Sequence, residues 1–93
     1  MTKSILEIDQ IGNKRWSFNH QLHREDGPAV ELLDGTKLWW LNGQLHREDG
    51  PAIEYPNGST SWYLNNHLIA KEERPNNWEE LVLLARVKQI MTS

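Results

Sequence analysis

Ninety-three residues and 10.9 kDa make one small domain (1–93), too short to set a cofactor domain beside a substrate domain. A formal net charge of −3 and a pI near 5.7 rule out a global basic field for phosphate and so disfavour nucleic acid as a partner. Cysteine is absent, which removes disulfides, thiolate metal ligands and cysteine nucleophiles; with no secretory-type run in Met1–Asp9 and no membrane-length apolar stretch, a cytoplasmic chain without a membrane partner is expected.

Residues 1–11 read as an N-terminal segment, 12–70 as a β-repeat region, 71–76 as a linker and 77–91 as a C-terminal helix. In the repeat region Leu22-His23-Arg24-Glu25-Asp26-Gly27-Pro28-Ala29 recurs unchanged as Leu45 to Ala52, an offset of 23 residues. The same offset aligns Trp16, Trp39 and Trp62; Asn19, Asn42 and Asn65; Gly12, Gly35 and Gly58; and Leu22, Leu45 and Leu68. Lys37–Leu41 and Ser59–Leu64 carry strand-favouring residues. Asn42-Gly43 is a type I′ hairpin signal, and Asn19-His20 and Asn65-Asn66 fill the same slot. Asp34-Gly35, Pro56-Asn57-Gly58 and the two Asp-Gly-Pro triplets mark further turns. The expected fold is mainly β: a single-layer antiparallel meander of hairpin repeats with one C-terminal α-helix.

Alternation puts Trp16, Phe18, Trp39, Leu41, Trp62 and Leu64 on one face, with Val30, Leu32, Ile53 and Tyr55 as matching apolar pairs. The three column tryptophans are expected to form a stacked ridge in the core. Ser17, Trp40 and Tyr63, with Glu31 and Glu54, fall on the other face. After Pro75 the helix is expected from Trp78 to about Met91, capped by Asn76 or Asn77. It has one broad apolar sector (Trp78, Leu81, Val82, Leu84, Ala85) and a second (Leu83, Val87, Ile90, Met91). The second sector needs a cover, and a homodimer through it is expected; packing on Ile5-Leu6-Glu7-Ile8 is the competing account.

Trp39-Trp40-Leu41-Asn42-Gly43-Gln44-Leu45-His46, then Asp49-Gly50, Asn57-Gly58 and Trp62-Tyr63, resemble the bacterial and phage variant of the MORN repeat, a β-hairpin unit that stacks into an elongated sheet. The resemblance spans about Gly12 to Ile69. It departs from the family in having less glycine and tyrosine, and in the Leu-His-Arg-Glu-Asp-Gly-Pro-Ala block. Such proteins are mostly interaction modules, including antitoxin-like and small phage proteins. The resemblance therefore implies binding rather than catalysis, and it supplies no catalytic residue.

Two constellations bear on function. His23 with Asp26, and His46 with Asp49, flanked by Glu25 and Glu48, are residue types for metal or acid–base chemistry. Repeats displaced along a sheet set such residues in a row rather than around a point. The favoured reading is that Asp, Gly and Pro make the turn while Arg24, Glu25, Arg47 and Glu48 contact neighbouring strands or tryptophans. Trp40 and Tyr63, with Glu31 and Glu54, form a candidate binding strip, the alternative being that the helix covers them. The sequence is thus read as a non-enzymatic protein-binding module, a small stoichiometric inhibitor acting by surface occlusion, antitoxin-like or anti-defence. Catalytic residues, metal and cofactors are expected to be none. The alternatives are a metal-dependent hydrolase built on the His-Arg-Glu-Asp blocks and a structural self-assembly repeat.

Overall fold

The computed structural model describes residues 3–92, with side chains as far as Lys88. Among these residues ten strands precede one helix: β1 (Ile5–Ile8), β2 (Lys14–Phe18), β3 (Gln21–Leu22), β4 (Val30–Glu31), β5 (Lys37–Leu38), β6 (Trp40–Leu41), β7 (Gln44–Leu45), β8 (Ile53–Glu54), β9 (Thr60–Leu64), β10 (His67–Lys71) and α1 (Trp78–Thr92). All pairings are antiparallel, in the order β1-β2-β4-β5-β8-β9-β10, with β3 on β2 and β6 on β7. The fold is the expected antiparallel meander with a terminal helix.

The 23-residue offset holds in the hydrogen bonds as well as in the letters. Trp16 N–H donates to Ala29 O (2.7 Å) and Trp39 N–H to Ala52 O (2.8 Å). Ala29 N–H donates to Leu38 O (2.8 Å) and Ala52 N–H to Ser61 O (2.9 Å). The two-residue turns place Asn19-His20, Asn42-Gly43 and Asn65-Asn66 all at positive φ, the type I′ geometry. Gly12, Gly35 and Gly58 supply φ of 113°, 100° and 90° in the longer turns, where a Cβ would be strained. The repeat reaches further back than the expected boundary at Gly12. Glu7↔Arg15 is the same pairing as Val30↔Leu38 and Ile53↔Ser61, so β1 is a partial copy inside the segment set apart from the repeat region at 1–11. Its signal in the sequence was the position of Glu7-Ile8, one period before Val30-Glu31.

Continuing this register gives a row across the sheet: Leu6, Trp16, Ala29, Trp39, Ala52, Trp62, Ala70. Directly opposed residues of antiparallel strands share a face, so large and small side chains alternate along it. Ala29 and Ala52 are fully buried at 0% exposure because an indole lies on either side. The expected continuous tryptophan ridge is therefore corrected: alanines separate the rings, Trp62 is buried, and Trp16 and Trp39 are half-buried.

The face assignment of the intervening strands is also corrected. Val30 opposes Arg15 and Leu38, and Ile53 opposes Leu38 and Ser61, so both share the face of Ser17, Trp40 and Tyr63. Glu31 and Glu54, opposite Lys37, lie on the tryptophan face. Turn length sets register across strands, and alternation within one strand carries no information about it.

Helix α1 seats Trp78, Val82 and Ala85 against Trp62 and Leu64, with Leu81 and Ala70 at the margin. It covers the tryptophan face and leaves the Trp40 and Tyr63 face uncovered by helix. The apolar stripe is narrower than the sequence implied: Leu84, assigned to the buried sector, is 56% exposed. Leu83 and Val87 are exposed, so they do not pack on β1. Ile90 and Met91, named with them, lie outside the described side chains. No described helix is long and apolar enough to cross a membrane.

Candidate functional site

Each repeated block closes as a clamp around its arginine. The Arg24 guanidinium lies 3.9 Å from the Trp16 ring centre, and that of Arg47 lies 3.8 Å from Trp39. Arg47 donates from Nε to Asp49 Oδ1 (3.0 Å), and from Nη1 to Pro51 O (3.1 Å) and Glu54 Oε2 (3.0 Å). Arg24 repeats the set with Asp26, Pro28 O and Glu31 at 3.1, 3.1 and 3.3 Å. A flat, permanently charged fork meets a ring face and several acceptors at once, which lysine cannot do. The glycine of each block has an ordinary backbone conformation. Its constraint is space: a Cβ on Gly50 would stand 2.7 Å from Arg47 Cζ, and one on Gly27 would stand 3.0 Å from Arg24 Cζ.

The histidines join one repeat to the next. His23 Nδ1 accepts the Asn42 N–H and His46 Nδ1 the Asn65 N–H, both at 3.0 Å. Accepting at Nδ1 puts the proton of the neutral ring on Nε2. His46 Nε2 then lies 3.2 Å from Glu48 Oε2, and His23 Nε2 lies 3.6 Å from Glu25 Oε1. Neither ring lone pair is directed into open space, and no three described His, Asp or Glu residues converge as a metal-ligand cluster.

Glu48 departs from the repeat symmetry because the helix recruits it. Arg86 reaches it with a bidentate pair, Nε at 3.2 Å from both carboxylate oxygens and Nη2 at 2.5 Å from Oε1. The Trp78 indole N–H donates to Glu48 O at 2.6 Å. The Arg86 hydrogen bond holds the Glu48 carboxyl below its ordinary value against the opposing effect of burial, and His46 adds to the lowering. Trp78 itself packs edge-on to Trp62 with centroids 4.9 Å apart. In the third copy Ala70 stands where Arg24 and Arg47 stand in the first two, so the indole of Trp78 takes the place of the missing guanidinium. The sequence reading missed this role for Trp78 and Arg86; the signal was the break Leu68-Ile69-Ala70 in the Leu-His-Arg column.

The eight candidate partner-binding residues do not form one surface. Arg24 with Glu31, and Arg47 with Glu54, are tied together inside the clamps. Glu25 and Glu48 border a groove of about 660 Å³ between the two blocks, whose outer tips are the exposed Asp26 and Asp49. Trp40 and Tyr63 stand apart on the opposite face, half-buried, cross-strand from Leu45 and Leu68. Two strand spacings separate them, about 10 Å. What the arrangement offers is a hydrogen-bonded double clamp on one face and a pair of aromatic rings on the other.

No protein family, no curated protein and no solved structure matches the chain.

Proposed function

We propose that the chain is a non-enzymatic protein-binding module of MORN-like repeats, a small cytoplasmic inhibitor that covers part of its target's surface in one-to-one fashion, as antitoxins and phage counter-defence proteins do. The observation that carries this reading is the pair Trp40 and Tyr63 on the face left uncovered by α1. Spaced aromatic anchors on a rigid sheet are what interface hot spots are made of. Supporting it, the chemistry-bearing side chains of both blocks are engaged within the fold: the arginines on indoles, the aspartates on arginines, and the histidines on backbone amides.

The test is capture from an extract of the native host, with bound protein identified by mass spectrometry. Wild type should retain a partner that folded Trp40→Ala and Tyr63→Ala lose. Equal capture by the variants would remove this face from the account. Heat on titration with Mg²⁺, Mn²⁺ or Zn²⁺ would instead favour a metal-dependent hydrolase; none is expected.

A further inference from the structure

We infer that the outer edge of β1 pairs with β1 of a second copy of this chain, joining two sheets across a two-fold axis. Asp9 N–H donates to Asn13 O, so by antiparallel alternation Glu7 and Ile5 direct their main-chain groups to β2, while Leu6 and Ile8 direct theirs outward. One period later the equivalent residue Ala29 accepts the Trp16 N–H, and Glu31 is paired to Lys14. Among the described residues no strand fills this position beside β1. The edge is also apolar, with Ile5, Leu6 and Ile8 exposed at 65%, 45% and 58%.

The two ends of the sheet differ in a way that selects the occupant. β10 carries a bulge between Leu68 and Ala70, a device that spoils edge pairing, and α1 packs on its face. β1 pairs with β2 without a bulge. A head-to-tail chain of molecules would have to use the bulged edge, whereas β1 against β1 is isologous and closes.

Charge then selects the register. Centring the axis on Leu6 sets Leu6 against Leu6 of the second copy and Ser4 against Ile8, with Leu6 and Ile8 supplying the outward main-chain groups. On the other face, continuing the alternation past the ends of β1 sets Lys3 against Asp9, whose carboxylate is held by its own turn and by Arg15, and diagonal to Glu7 of the second copy, so that Glu7 supplies the opposite-charge contact. Moving the axis to Glu7 sets Glu7 against itself. The expected helix face, Leu83 and Val87, has exposed aliphatic groups but no unpaired main chain, and it serves as the comparison in the test.

Sedimentation of wild type, Leu6→Pro, Lys3→Glu and Val87→Glu tests the inference. Wild type and Val87→Glu should run at about twice 10.9 kDa at high protein concentration. Leu6→Pro deletes an outward N–H and should be monomeric. Lys3→Glu, at an exposed position, should weaken the dimer about tenfold at low salt and less at high salt. Should Leu6→Pro unfold, amide exchange on wild type answers the same question: Leu6 and Ile8 should gain protection with protein concentration, while Glu7 is protected throughout. A monomeric wild type, a dimer split by Val87→Glu and untouched by Lys3→Glu, or Leu6 and Ile8 amides indifferent to concentration would overturn the inference.

Discussion

Arg47 lies flat on Trp39 and spends its donors on Asp49, the Pro51 carbonyl and Glu54, so a single side chain ties the loop, the strand and the ring together. Removing it as Arg47→Ala leaves a bare indole and an unpaired carbonyl, with an expected loss of about 1–3 kcal/mol in urea unfolding. Arg47→Lys should recover only a minor part, since an ammonium has no fork. Gly50→Ala belongs to the same clamp: its Cβ displaces the guanidinium, and the cost should approach that of Arg47→Ala, whereas the roomier Gly27 should tolerate alanine better. His46 gives the third residue-scale expectation. His46→Ala orphans the Asn65 N–H and should cost about 1–3 kcal/mol, and His46→Asn, whose Oδ1 can stand in for Nδ1, should restore part of it. Equal losses for the alanine and asparagine variants would show that ring packing, rather than the Nδ1 acceptor, is what matters.

At the scale of elements, α1 is held by Trp78 in the slot an arginine fills elsewhere and by the Arg86 to Glu48 pair. Trp78 is 1% exposed, and Trp78→Ala should cost about 3–5 kcal/mol, much of the stability of so small a domain. The pH dependence follows from Glu48. Its folded value lies below the ordinary 4.5, so its contribution is complete above pH 4.5 and is lost as pH falls through the folded value. Asp9 adds a second acid-sensitive group at the far end of the sheet. Burial raises its pKa, but hydrogen bonds from the Asn13 side chain and from the amides of Asn13, Gly12 and Ile11 outweigh it and bring the carboxyl to about 2. Tryptophan emission should therefore report the helix loosening from Trp62 as pH falls below 4.5, and Glu48→Gln should remove that dependence, while the β1–β2 turn should hold until pH approaches 2. The strands, the type I′ turns and the helix were legible because Asn-Gly turns, the 23-residue offset and the apolar spacing act locally. The faces of β4 and β8 were not, since register is fixed by turns rather than by alternation. Nor was the exposure of Leu84 on the same helix as the buried Trp78, because two sectors of similar apolarity compete and docking on Trp62 selects one.

For the whole molecule, the repeat supplies a sheet that runs from the β1 edge to β10, with the helix packed on its face at the β10 end. Its radius of gyration is 13.5 Å, with principal extents of 40 × 32 × 18 Å, the outline of a slab with two unlike faces. The tryptophan face carries the clamps and the helix; the other face carries the half-buried Trp40 and Tyr63 beside the buried Val30, Ile53 and Ser61. The sequence named Trp40 and Tyr63 through parity within their own strands, which holds, and added Glu31 and Glu54 through parity across turns, which does not. It left Trp78 and Arg86 out because their roles depend on a contact between residues thirty or more apart in the chain. Titration calorimetry of the captured partner against wild type, Trp40→Ala and Glu31→Ala tests the binding reading most directly. The account predicts one-to-one binding, a loss of at least about tenfold for folded Trp40→Ala, and near-wild-type affinity for Glu31→Ala, which alters only the clamp face. Undiminished affinity of Trp40→Ala together with a large loss for Glu31→Ala would place the partner on the clamp face and contradict it.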